Sequence, residues 1–240
     1  MVPFFVYGKI QMNISIIIPA YNEAENIEKL VSYLQQHAPL AEIIVVDGGS
    51  TDDTLHIARN TGVSAVLSPQ KGRAAQMNYG ASIAKGDVLY FVHADVFPPP
   101  SFTIDIEVAL KKGYDFGRYT MRFDTRKWYL RINEWFTRFD WFVCYGGDQT
   151  LFITGKLFAE SGGFRSDMRI MEDFEFTKRI KDTGAKYKIF KKGALISDRK
   201  YDNNSWWRVQ KANYTIVKMY KQGASQDAMI AAYKKMLDYR

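Results

Sequence analysis

The 240-residue sequence holds one cysteine, Cys144, which leaves no internal disulfide and no cysteine-rich metal site. A reducing, cytoplasmic setting is the compartment that fits. No apolar run reaches the roughly 18 residues that a membrane-spanning helix requires. The opening MVPFFVYGKIQ is apolar, but it has no basic leader and no small-residue cleavage site, so residues 1–11 read as a tail and not as a secretory signal. Internal repeats, low-complexity tracts and long linkers are also missing, and residues 12–240 therefore read as a single domain. A hydrophobic share of 47% with 15% aromatics excludes a disordered chain. Acidic residues fall short of basic ones, 26 against 33, and the resulting charge of +7 favours an anionic partner: a phosphate ligand, an acidic lipid surface or a nucleic acid.

What is present is a succession of apolar runs alternating with helical patterns as far as about residue 112, the signature of βαβ units around a parallel sheet. The unbroken run Val88-Leu89-Tyr90-Phe91-Val92 suits a strand covered on both faces. It stops at His93-Ala94-Asp95, where two ligating side chains one residue apart share a side of the extended backbone. Ligands bind at such carboxyl ends in open α/β sheets. A buried strand ending in a polar turn is the plainer reading of this stretch taken alone.

Three earlier segments end in the same way. The β-branched run Asn13 to Ile18 is expected to break at Pro19, with Asn22 capping the next helix and Glu25 three residues on; Ile27, Leu30, Val31 and Leu34 give that helix its buried stripe. Glu42 to Val46 leads into Asp47-Gly48-Gly49-Ser50-Thr51-Asp52. Its glycines let backbone approach a flat ligand, and Ser50 or Thr51 is placed to cap a helix starting near Asp53. Capping leaves Asp47 unexplained, and a carboxylate there can accept from the N–H of a base. After Ser64 to Leu67, Lys71 and Arg73 stand at a strand-to-helix junction, where cations and helix N-terminal amides converge on a phosphate or form an ordinary solvated loop.

The stretches IIIPAYNE (Ile16 to Glu23), VVDGGSTDDT (Val45 to Thr54), KGRAAQMNYGA (Lys71 to Ala81) and FVHAD (Phe91 to Asp95) resemble the inverting GT-A glycosyltransferases of family 2. Within that family the set is similar to small soluble bacterial members carrying HAD in place of DxD. The likeness continues through YGGDQTLF (Tyr145 to Phe152), GGF (Gly162 to Phe164), MEDFEF (Met171 to Phe176) and SDRKY (Ser197 to Tyr201), and so covers residues 13 to 205.

The resemblance implies a GT-A-like α/β domain: a doubly wound, mainly parallel sheet flanked by helices. A donor half would span about 12–100, an acceptor and catalytic half about 101–205, and C-terminal helices about 203–240. Pro19, Tyr21 and Glu23 would line the nucleoside pocket, with Asp47 on the base and Gly49 beside it. Arg73 would lie near base or ribose, and Lys71 near the phosphates. His93, Ala94 and Asp95 would form the DxD equivalent. Asp95 would hold a divalent cation, Mn²⁺ or Mg²⁺, with His93 either a second ligand, better suited to Mn²⁺, or a hydrogen-bonded structural residue. Asp148 and Gln149 would orient sugar or acceptor hydroxyls, and Arg199 and Lys200 would reach the diphosphate or sit in a surface loop. Asp173 would be the general base with Glu172 its neighbouring carboxylate, although carboxylates also favour the first turn of a helix on structural grounds alone.

The implied activity is inverting transfer of a sugar from a nucleotide donor, a UDP-sugar, to a hydroxyl acceptor of lipid or glycan type. Rivals are nucleotidyl transfer, which calls for a glycine-rich loop where this chain has Pro19-Ala20-Tyr21-Asn22, and a catalytically silent sugar-nucleotide-binding or membrane-associated protein. Between Arg126 and Phe142, Trp128, Ile132, Trp135, Phe136 and Phe139 fall on one helical face among arginines. That face packs on its own domain, lies against an acidic membrane or contacts an apolar acceptor; nucleic acid is the poorer match beside nucleotide motifs. The helices after Asn203 cover the sheet, meet a second copy in a homodimer, or touch membrane.

Overall fold

The computed structural model describes residues 12–146 and 150–238. Among them, β1 (Ile14–Ala20), β2 (Glu42–Asp47), β3 (Ser64–Leu67), β4 (Val88–Phe91), β5 (Val96–Phe97), β6 (Phe116–Phe123), β7 (Leu151–Thr154) and β8 (Tyr187–Ile196) form one sheet. Its order is β3-β2-β1-β4-β7-β6-β8-β5. The helices are α1 (Ile27–His37), α2 (Thr54–Asn60), α3 (Arg73–Ile83), α4 (Phe102–Lys111), α5 (Leu130–Phe136), α6 (Gly155–Glu160), α7 (Glu172–Asp182), α8 (Trp206–Lys221) and α9 (Gln226–Met236).

The first four strands are joined by parallel pairings, as their spacing by helices requires. Beyond β4 the sheet becomes mixed, with β7 antiparallel to β4 and β6, β8 parallel to β6, and β5 antiparallel to β8. The expected mainly parallel sheet is thus wholly parallel over the first four strands and mixed beyond them, with β6–β8 the one further parallel pairing among the described residues.

β1 shows why the sheet is covered on both sides. Every residue in it is buried. Ile16 and Ile18 pack with Ile27, Leu30, Val31 and Leu34 of α1 and with Phe102 and Ile106 of α4. Ile17 points the other way, to Ala74 and Met77 of α3 and Phe176 and Ile180 of α7. Each such side chain contributes about 1.5–3 kcal/mol through burial.

Several local expectations are corrected. β1 does not break at Pro19, which stays in register with Val46. Its neighbour β4 pairs only as far as Ile17, so the missing N–H of proline faces a place where no ladder partner is required. Asn22 does not cap α1, because the helix starts five residues later behind Asn26. Nor do Ser50 and Thr51 cap α2, whose N-cap is Asp53; all three side chains instead join two loops, as described below. The strand foreseen over Ala185 to Phe190 runs on to Ile196, because a bulge absorbs Lys191 and Lys192 between the pairs Tyr119–Phe190 and Thr120–Gly193. The aromatic stripe is not one long helix. α5 has seven residues, Leu130 is its buried contact, and Trp128, Ile132, Trp135 and Phe136 are exposed. Among the described residues no helix is long and apolar enough to cross a membrane.

Candidate functional site

The site is built where the carboxyl ends of β1, β2 and β4 meet loops from the second half of the chain. The loop after β1 and the loop after β2 are stitched together by side chains that a helix-capping scheme would have used otherwise. Asn22 sits in the left-handed region at φ 54°, which its short polar side chain tolerates. Its N–H donates to Ser50 Oγ at 2.9 Å, and its Oδ1 accepts from Thr51 N at 2.8 Å. Glu23 N donates to Thr54 Oγ1 at 2.8 Å, and Ala24 N to Asp52 Oδ2 at 3.2 Å. Burial pushes the Asp52 carboxyl up, but the hydrogen bonds from Thr54 and Ala24 together outweigh this and hold it below its ordinary range.

Asp47, the last residue of β2, is 1% exposed. Its Oδ1 accepts from both Gly49 N and Ser50 N at 2.8 Å. Gly49 can aim its N–H this way because it adopts φ 88°, in the region glycine alone enters freely. The other oxygen, Oδ2, is buried without a hydrogen-bond partner. An orphaned carboxylate oxygen of this kind is expensive to keep unless a ligand supplies a donor. Pro19, in register with Val46 next to Asp47, is buried, and Tyr21 two residues on is 56% exposed.

Arg73 opens α3 and reaches two separate parts of the site. One terminal nitrogen lies 3.3 Å from His93 Nδ1; since arginine only donates, Nδ1 is the acceptor. Its Nε lies 2.8 Å from Oε1 of Glu172, an ion pair rather than an aligned hydrogen bond. Glu172 is 2% exposed and begins α7 directly after Met171, which is held at φ 68°. A left-handed methionine costs about 1–3 kcal/mol, and such strain gathers where side-chain placement matters. Asp173 follows, half-buried, in the first turn of the helix. The preceding loop approaches so closely that a Cβ on Gly146 would stand 2.7 Å from the Phe174 ring.

Arg199 closes the circle from the turn after β8. It donates to both carboxylate oxygens of Glu23, with Nη1 at 3.0 Å from Oε2, and its Nη2 lies 3.2 Å from Asp95 Oδ2. Lys200 is not brought to the same place, for its ammonium lies over the Tyr233 ring of α9 at 5.3 Å. Lys71 is exposed on the loop entering α3. Asp148 and Gln149 lie outside the described residues, as does the tail 1–11.

The sequence profile of glycosyl transferase family 2 matches residues 15–173, well over half of the chain. The chain belongs to that family. Among curated relatives, Protein RfbJ of Shigella flexneri is 34% identical over 83 residues, covering 35% of this chain and 64% of that protein. The chain spans less than two thirds of the length of the curated relatives it matches. Two solved structures share the fold. The mannosyltransferase PcManGT of Pyrobaculum calidifontis, in complex with GDP-Man and Mn²⁺, has a TM-score of 0.66 at 18% identity and covers 95% of this chain and 70% of its own. Glucosyl-3-phosphoglycerate synthase of Mycobacterium tuberculosis, with Mn²⁺, UDP and glucosyl-3-phosphoglycerate, has a TM-score of 0.61 at 17% identity, covering 100% and 87%. The fold is thus the GT-A arrangement the motifs anticipated.

Among the described residues no three His, Cys, Asp or Glu side chains converge to hold a metal. Asp95 does offer one hard carboxylate at the edge of the site. A small divalent cation fits that donor set when the remaining oxygens come from a bound diphosphate.

Two residues that hold the site's elements together escape sequence reasoning. Gln76 is 4% exposed on α3, and its Nε2 donates to Ala20 O at 2.7 Å and Val46 O at 2.8 Å, tying the ends of β1 and β2 together. Its only signal is a polar residue on the buried face of a helix. Asn78 similarly exchanges two hydrogen bonds with the Phe164 backbone, at 2.7 and 2.9 Å, fixing the GGF turn to α3.

Proposed function

We propose that the protein transfers a sugar from a nucleotide-sugar donor, a UDP-sugar, to a hydroxyl acceptor with inversion at the anomeric carbon. The observation that carries this reading is the buried Oδ2 of Asp47, fixed in place by two backbone N–H groups on its sister oxygen and aimed at no protein donor. Uracil presents an N–H to such an oxygen. On this reading Pro19, Tyr21, Glu23 and Gly49 serve the nucleoside side, and Arg73 and Lys71 serve ribose and phosphates; the sugar or acceptor role given to Asp148 and Gln149 rests on the sequence resemblance alone.

Asp173 takes the proton of the acceptor hydroxyl as that oxygen attacks the anomeric carbon. The carbon–oxygen bond to the diphosphate breaks on the opposite face, and the nucleoside diphosphate leaves. General-base help of this kind is worth about 10² to 10⁴ in rate. Glu172, held by Arg73, positions the base and keeps the first turn of α7 in place. A divalent cation on Asp95, when bound with the donor, supplies charge neutralisation for the leaving diphosphate. His93 orients Arg73 through Nδ1, in keeping with its hydrogen-bonded structural role. Arg199 shares Asp95 in the donor-free state and can follow the diphosphate when it enters.

Calorimetric titration of UDP and GDP, with and without Mn²⁺, tests the reading. UDP is expected to bind in preference, to weaken in Asp47→Ala, and to lose its Mn²⁺ dependence in Asp95→Ala. Equal or tighter binding of GDP moves the donor to the guanosine class, and absence of binding by either nucleotide sinks the donor-site assignment.

A further inference from the structure

Away from the donor site, the connection from β6 to β7 carries a surface for which the proposed reaction has no use. Trp128, Ile132, Trp135, Phe136 and Trp141 are 74%, 40%, 52%, 42% and 50% exposed. They are not independent, mobile side chains. Phe139 stacks on Trp141 at 4.5 Å and lies edge-on to Trp135 at 4.6 Å, while Phe136 meets Trp141 at 6.3 Å. Below them the buried Arg118 donates to Phe139 O at 3.2 Å, so the cluster is braced from the core.

Along its flank runs an open groove of about 900 Å³, lined by Thr125, Arg126, Trp128, Arg131, Ile132, Trp135 and Phe136, with no carboxylate among them. Arg138 is exposed one turn further on. Arginine and tryptophan side by side, rigid and facing outward, match a boundary where one side is apolar and the other anionic.

We infer that this face docks on an acidic lipid bilayer, with the aromatic rings entering the headgroup region and Arg126, Arg131 and Arg138 meeting the lipid phosphates. A second copy of the chain is the poorer occupant. Self-pairing about a two-fold axis would set the same patch against itself, and the groove's own lining offers its arginines no carboxylate to meet. Charge complementarity therefore selects an anionic surface. The patch also continues inward to the catalytic helix, since Phe142, directly after Trp141, packs at 5.5 Å against Phe174, the neighbour of Asp173. The inference goes beyond the donor-site reading and does not depend on it.

The test uses the full chain with vesicles of phosphatidylcholine alone or mixed with phosphatidylglycerol, measured by co-sedimentation at low and high salt. Light scattering without lipid reports self-association. Variants are Trp135→Ser with Trp141→Ser, and Arg126→Gln with Arg131→Gln, each checked for unchanged melting. The wild type is expected to partition onto the anionic vesicles and to leave them as salt rises. Each arginine neutralised should lower partitioning roughly fivefold, and the tryptophan pair should abolish it. Equal binding to neutral vesicles, binding undiminished in both variants, or a wild-type dimer that the tryptophan variant dissociates would each overturn the inference. UDP titration of the same samples keeps the two readings apart, because a protein that sediments with vesicles but ignores UDP retains the docking face and loses the donor site.

Discussion

Asp47→Asn is the sharpest probe of the donor site, because the structure dictates which way the new amide must face. Oδ1 of Asp47 accepts from Gly49 N and Ser50 N, both at 2.8 Å. In the variant only the amide oxygen can occupy that place, since an NH₂ would confront two N–H groups. The NH₂ is thereby driven to the position of Oδ2, the buried oxygen with no protein partner. Where uracil offers its ring N–H, a donor now meets a donor. Losing a hydrogen bond to a charged acceptor costs about 1.5–3 kcal/mol, which is roughly ten- to a hundredfold in Kd. Cytosine presents an acceptor at the same ring position, so CDP should gain on UDP in the variant. The fold should survive, because the two backbone bonds are kept. Calorimetry with UDP and CDP on both proteins, alongside thermal melting, reads all three effects. If Asp47→Asn binds UDP as tightly as the wild type while melting at the same temperature, Asp47 does not read the base.

Three further outcomes follow from the same geometry. Asp173→Asn should lower turnover by about 10² to 10⁴ and leave UDP affinity unchanged, measured by single-turnover kinetics and titration; retained turnover would remove Asp173 from its role. Arg73→Ala leaves Glu172, 2% exposed, without its ion-pair partner, and stranding a buried charge costs up to about 3–5 kcal/mol, less here because the arginine itself is a third exposed. Adding Glu172→Gln should recover part of the lost melting temperature, and failure to do so would mean that the pair carries no such energy. For Asp52 the folded carboxyl lies below its ordinary range, so its stabilising contribution is complete above about pH 3.9 and disappears as pH falls through the depressed value. Asp52→Asn should accordingly show a lower melting temperature near neutrality and a shallower loss on acidification, followed by calorimetry across that range.

Much of the first half, through β4, is legible because its signals are local. Strand ends, glycine-bearing turns and the HAD stretch each lie within a few residues of chain, and parallel βαβ winding brings the ends to one edge without further information. The second half obeys a different rule. Its pairing is mixed, and β8 passes through a bulge that two lysines and a glycine disguise as a turn. Side chains assigned to helix caps failed for a related reason. Asn22, Ser50 and Thr51 have the right chemistry for an N-cap, but the nearest unsatisfied groups belonged to a loop 28 or 29 residues away. Gln76 was unreadable because its two acceptors lie 56 and 30 residues distant on different strands. The aromatic stripe was visible as composition, but its exposure depends on how short α5 is, and that is decided by tertiary packing.

The contact least accessible to sequence is also the one that sets the resting charge of the site. Arg199 lies 176 residues from Glu23 in the chain, yet it spans Glu23 and Asp95 with one guanidinium. Glu172 meets Arg73 in the same manner. Glu23, Asp95 and Glu172 thus meet two arginines, and Asp47 and Asp173 bring two further carboxyl groups to the same site. A nucleoside diphosphate brings further negative charge, and at about 4 Å two unit charges still interact by roughly 4 kcal/mol near a protein surface. Long-range attraction from a chain of net charge +7 aids encounter, but it does not cancel that local repulsion. Either a cation must arrive with the diphosphate at Asp95, or Arg199 must give up its carboxylates to follow the phosphates. Asp95 would be the residue to hold such a cation, which would supply charge neutralisation for the diphosphate, and Arg199 now occupies its Oδ2 at 3.2 Å.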